Sequence, residues 1–100
     1  MVQKIGLSAG AIKTFEEAIK YLELNFSDAE VRKFTDKMEE KLLLIKLNPR
    51  LGSKSGKKPN VYKTVINKRI VLYYQYKPIK KEILLLAFWN TWQNPKKLKI

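Results

Sequence analysis

Apolar residues recur along this chain with two different periods. Ile12, Phe15, Ile19, Leu22 and Phe26 are spaced 3, 4, 3 and 4 apart, which marks one face of a helix over about residues 11–25. Val31, Phe34, Met38, Leu42 and Ile45 repeat that stripe and predict a second helix. It should end near Leu47, because Pro49 pushes Asn48 out of helical geometry. Ser8 is a candidate N-cap for the first helix. Ser27-Asp28-Ala29-Glu30 reads as a capping box for the second. So few residues separate the two that they should lie antiparallel as an αα-hairpin.

Beyond Asn60 the period falls to two. Val61 to Ile66 alternates as a strand, and Asn67-Lys68 reads as a two-residue hairpin turn with asparagine supplying positive φ. Arg69 to Tyr76 is the next strand, Lys77 to Lys81 a longer turn, and Ile83 to Trp89 is a run of seven apolar residues. A run so short and so apolar predicts a strand covered on both faces. It stops at Asn90 and Thr91, and Pro95 forbids further central pairing. Val2 to Leu7 alternates weakly as a first strand. The 83–89 strand is too apolar for a sheet edge, so the first strand should pair with its free side. The expected architecture is α+β: one sheet in the order 1-4-3-2, covered on one face by the helical hairpin. Val61 to Ile66 would form its exposed edge, where Lys63 and Thr64 suit solvent. Residues 1–100 then form a single domain.

Charge is unevenly spread. Residues 1–40 hold six basic and eight acidic side chains, whereas residues 41–100 hold 15 basic ones and a single acid, Glu82. The second half, at +14, carries nearly all of the positive field and favours an anionic partner. Arg50 to Asn60 collects glycine, serine, proline and four basic residues. It reads as a loop able to clamp an anion.

Cysteine and histidine are both absent. That removes disulfides, thiolate metal sites, and the commonest metal ligand and general base. No metal, cofactor or small-molecule cofactor is expected. No stretch resembles a secretory signal or a membrane span, so no membrane partner is expected and the location should be cytoplasmic.

The buried strand should deliver Trp92, Gln93, Asn94, Lys96 and Lys97 to one end of the sheet. Together with Lys54, Lys57, Lys58, Lys63, Lys68 and Arg69 they form the candidate contact surface for a macromolecular target or nucleic acid. Trp89 reads as core. Trp92 reads as a rim cover or a stacking platform. Tyr74 and Tyr76 must share one face of their strand and Tyr73 the other.

The order of these pieces resembles a known family. A short strand, a helical hairpin ending in Asn48-Pro49 with Gly52 after it, a basic loop, then RIVLYYQY, ILLLAFW and QNPKKL are similar to the RelE/ParE superfamily of toxins. These belong to bacterial type II toxin–antitoxin (plasmid stabilisation) systems. The resemblance spans Val2 to Leu98. It implies a toxin neutralised by an acidic cognate antitoxin and directed at DNA gyrase (ParE-like) or at ribosome-bound mRNA (RelE-like). Many relatives carry Thr-Arg-Gln-Asn-Pro after the last strand, and RelE-like nucleases a tyrosine beyond it. Here Trp92 stands at the arginine position and no tyrosine follows. RNA cleavage by 2′-hydroxyl attack needs a base, a cation for the phosphorane and a donor for the leaving oxygen. Lys54, Lys57 and Arg69 are the candidates for such work. The expectation is a gyrase-directed or degenerate toxin. The alternatives are an active ribosome-dependent mRNA endoribonuclease, or a non-toxic nucleic-acid-binding module.

Overall fold

A computed structural model of the chain describes residues 4–56, 58–67 and 69–91. Strand β1 (Lys4–Leu7) leads into helix α1 (Ala9–Asn25) and helix α2 (Asp28–Leu47). Strands β2 (Ser53–Lys54), β3 (Val61–Val65), β4 (Ile70–Lys77) and β5 (Glu82–Asn90) follow. The sheet order is β1-β5-β4-β3-β2. β1 pairs parallel with β5, and the other contacts are antiparallel. This is the expected arrangement with one addition. The Val61–Val65 strand is not the edge, because β2 pairs with it through Ser53–Lys63 and Lys54–Tyr62. Two polar residues carry no strand signature, so β2 exists only because the chain can approach β3 closely.

That approach depends on Gly52. A Cβ there would lie 2.5 Å from the Lys63 carbonyl oxygen and 2.9 Å from the Tyr74 hydroxyl. The Gly52 amide donates instead to the Tyr74 hydroxyl at 3.0 Å. The left-handed turns that return the chain to β3 are taken at Gly56 (φ 78°) and Asn60 (φ 61°).

The core lies between the helices and one face of the sheet. Leu22, Phe34, Ile45, Ile70, Leu72, Tyr74, Ile83 and Leu85 are all buried within it. Phe15, Phe34 and Phe88 tie α1, α2 and β5 together, with ring centroids 5.4–6.3 Å apart. The α1 stripe is rotated from its expected position: Ala11 and Ala18 are buried, while Ile12 is 48% exposed. Small residues let α1 settle close to β5, and a spacing argument that counts only large side chains misses them.

β5 contains a bulge. Tyr73 faces Ala87 and Tyr74 faces Leu85, so Leu86 has no partner on β4. The extra residue shifts the alternation. Ile83, Leu85 and Phe88 face the helices, while Ala87 and Trp89 pack with Tyr73 on the other face. The first turns of α1 satisfy the irregular backbone. Ser8 Oγ donates to the Leu86 carbonyl at 3.2 Å and accepts from the Ala11 amide at 3.0 Å. Thr14 Oγ1 accepts from the Phe88 amide at 2.9 Å.

Two turn expectations need correction. Ser27 precedes α2 without a side-chain capping bond; its carbonyl instead accepts from the Glu30 amide at 3.0 Å. Asn67 works through its side chain, not through positive φ. Its Oδ1 accepts from the amides of Arg69 and Ile70 at 2.8 and 2.9 Å. This delays the start of β4 by one residue.

Candidate functional site

The sheet face turned away from the helices carries a cleft of about 410 Å³, lined by Gly52, Ser53, Lys63, Thr64, Val65, Val71, Tyr73, Trp89 and Thr91. The register explains its make-up. Lys63 pairs with Tyr73, and Val65 with Val71, so these four share the outer face. The bulge then adds Ala87 and Trp89 to it. Among the described residues, Lys63 is the one cation in this lining, and no carboxylate contributes. The Trp89 indole N–H is buried without a hydrogen-bond partner among the described residues. The cleft can therefore bind an apolar or aromatic group and offer one ammonium and several hydroxyls. Among the described residues it holds no carboxylate to take a proton from a ribose.

Lys54 and Lys58 lie elsewhere. They line a second pocket of about 630 Å³ with Arg50, Gly56, Pro59, Asn60 and Tyr62. The Arg50 guanidinium carbon sits 5.0 Å from the centroid of the Tyr76 ring. Arg50 belongs to the basic loop by sequence, but its seat on Tyr76 arises from tertiary contact and has no local signal.

Arg69 is at the opposite end of the sheet. Lys54 is level with Tyr62, and Arg69 follows the end of β3 at Val65. At about 3.3 Å per residue, the two are separated by roughly 10 Å or more along the strand direction. Arg69 is half-buried, with its guanidinium carbon 4.2 Å from the Phe26 ring centroid and its Nε buried and unpaired. Its carbonyl accepts from the Thr91 amide at 2.7 Å. It is neither a solvated turn residue nor a companion of Lys54. It clamps the hairpin turn of the sheet onto the corner between the helices. Lys57, Lys68, Trp92, Gln93, Asn94, Lys96 and Lys97 lie outside the described residues.

The Tyr74 phenol is displaced in pKa. Burial pushes it above its ordinary value, opposed by the bond from the Gly52 amide and reinforced by Tyr62. The Tyr62 ring stacks on it at 5.7 Å. A third concavity, about 480 Å³, is apolar. Ile5, Leu7, Ala11, Ile12, Phe15, Met38, Leu42, Leu85 and Phe88 line it beside Glu16. Leu7, Ile12 and the nearby Leu43 are 56%, 48% and 63% exposed. Among the described residues, no group of three His, Cys, Asp or Glu side chains could hold a metal. Among the same residues, no helix is long and apolar enough to cross a membrane.

A helical hairpin over one face of a mixed sheet, with a cationic pocket at the β2–β3 end, defines a small α+β protein of the RelE/ParE type. The family model described as ParE toxin of type II toxin–antitoxin system, parDE, matches residues 5–95, and the chain belongs to that family. No curated protein sequence matches it. The fold is similar to a chain of the chromosomal ParDE system from P. aeruginosa. The TM-score is 0.70 at 12% identity, covering 89% of this chain and 96% of that one. The YoeB toxin, in a dimer from Staphylococcus aureus, gives 0.61 at 21% identity, covering 89% and 97%. An arginine-to-alanine double mutant of E. coli RelE in the free state gives 0.60 at 17%, covering 91% and 85%.

Proposed function

We propose that this chain is a cytoplasmic toxin that acts on DNA gyrase without cutting nucleic acid, and that an acidic cognate antitoxin holds it inactive. The observation that carries the reading is the lining of the outer-face cleft. Cleavage by 2′-hydroxyl attack, a transesterification that expels the 5′-oxygen, needs a proton acceptor and charge stabilisation at one point. Among the described residues the cleft offers Lys63 alone as a cation and no carboxylate, and the chain has no histidine. Arg69, a candidate for phosphate binding, is half-buried with its Nε shut away from solvent and stands apart from Lys54 along the strand direction. What the cleft does offer, an aromatic floor of Tyr73 and Trp89 with a buried unpaired indole donor, suits a protein side chain.

The antitoxin reading rests on two further features. The 41–100 half is strongly positive, and the apolar groove beside β1 and the helices leaves Leu7 and Ile12 exposed. An acidic segment with apolar anchors would match both. The ribosome-dependent nuclease is tested directly. Purified, antitoxin-free protein is added to programmed ribosomes, and the mRNA is mapped by primer extension. Intact mRNA is the expected result. Brisk cleavage at A-site codons that is lost in Lys63→Gln or Lys54→Gln would overturn this reading.

A further inference from the structure

The pocket at the β2–β3 end stands apart from the outer-face cleft and is not needed for the gyrase reading. We infer that Arg50, Lys54 and Lys58 form a binding site for the phosphodiester backbone of nucleic acid, blind to base sequence. The three cations come from three segments: the exit of α2, strand β2 and the loop before β3. Backbone bonds pin that loop. The Ser55 amide donates to the Val61 carbonyl at 2.9 Å, Val61 to Lys58 at 3.3 Å, and Tyr76 to Asn60 at 2.9 Å. The charges are therefore gathered before any ligand arrives.

None of the three forms an ion pair among the described residues, and no carboxylate lines the pocket. Arg50 lies over the Tyr76 ring. That stack engages the face of the guanidinium and leaves its in-plane N–H donors available for the paired oxygens of a phosphate.

The lining also discriminates between anionic ligands. Apart from the proline and tyrosine rings it is glycine, asparagine and cations, with no other aliphatic side chain among the described residues. An acidic peptide would find charge here but no apolar anchor, whereas a phosphodiester backbone needs only cations and donors. Tyr62 is 4% exposed, too buried to serve as a stacking platform for a base. With no stacking platform and a lining dominated by cations, recognition rests on the backbone.

Fluorescence anisotropy with a labelled 20-nucleotide thymidylate strand, titrated at several salt concentrations, tests this. Each phosphate contact contributes about −0.7 to the slope of log K against log salt for a single strand. Replacing Arg50, Lys54 and Lys58 together by glutamine should therefore reduce the slope by about 2. A control with Lys13, Lys20 and Lys37, all exposed on the helices, replaced by glutamine makes the same change in net charge and should leave the slope nearly unchanged. If the triple variant fails to fold by circular dichroism, Lys54→Gln alone should still reduce the slope by about 0.7. Three results would overturn the site: no binding by the parent at 50 mM salt, an equal loss in the helix control, or displacement by polyglutamate as effective as by unlabelled strand. The gyrase reading survives any of them, and the site survives failure of that reading.

Discussion

Gly52→Ala tests how the β2 edge is held beside the sheet. Gly52 has no left-handed φ to lose, so the effect is steric. The added methyl would sit 2.5 Å from the Lys63 carbonyl oxygen and 2.9 Å from the Tyr74 hydroxyl. The first neighbour is backbone of a paired strand and cannot turn aside. β2 must therefore lift away from β3, breaking the bond from the Gly52 amide to Tyr74. Leaving a buried hydroxyl unsatisfied costs about 1–3 kcal/mol, and forced overpacking about 1–3 kcal/mol. The two overlap, so a loss of about 2–5 kcal/mol is expected in urea titrations. At about 4–8 °C per kcal/mol for a domain of this size, Tm should fall by at least roughly 8 °C. Gly56→Ala provides the contrast, because nothing lies within 4 Å of its Cβ position and only its φ of 78° is strained. That change should cost about 1–2 kcal/mol. Adding Tyr74→Phe to Gly52→Ala removes the softer clash and leaves the backbone one, so stability should not return. A Gly52→Ala variant no less stable than Gly56→Ala would refute the reasoning.

Other outcomes follow from the same structure. Leu22→Ala empties a core site that is 1% exposed and should cost about 2–5 kcal/mol in chemical denaturation. Tyr74 has a raised pKa in the folded state, so the unfolded chain releases that proton first. Its contribution to stability is complete below about pH 10 and falls as pH rises towards the folded value. Tyr74→Phe should remove that part of the alkaline decline, as measured by denaturation at pH 8 and pH 11. Association with an antitoxin should slow as salt rises from low to physiological strength, because steering is screened within about 8–10 Å. A stopped-flow rate indifferent to salt would contradict the proposed acidic partner.

The fold was legible in the sequence wherever a period ran long enough. Both helices, the meander and the central place of Ile83–Trp89 follow from spacing and from the impossibility of leaving so apolar a strand at an edge. Finer features failed for identifiable reasons. The unbroken apolar run hides the bulge at Leu86, since Leu86, Ala87 and Phe88 look alike whichever face they occupy. Ala11 and Ala18 are too small to signal a buried stripe. Strand β2 has no pattern of its own and depends on a close approach that only tertiary structure creates.

The site was less legible than the fold. Charge placed the basic surface in the second half of the chain, but could not separate Lys54 and Lys58 from Arg69. Their separation depends on strand direction and on a ring at Phe26 more than 40 positions away from Arg69. Arg50 was hidden for the same reason, because its partner Tyr76 is distant in sequence. The cleft chemistry was legible in part: the absence of histidine is visible at once, whereas the orphaned Trp89 donor requires the packed structure.

The most direct test of the central claim is a gyrase supercoiling assay with the purified toxin, read beside mRNA integrity in the same preparation. Supercoiling activity should fall in proportion to added toxin and recover when the antitoxin is supplied, while ribosome-bound mRNA stays intact. Undiminished supercoiling at saturating toxin, together with cleaved mRNA, would contradict the claim.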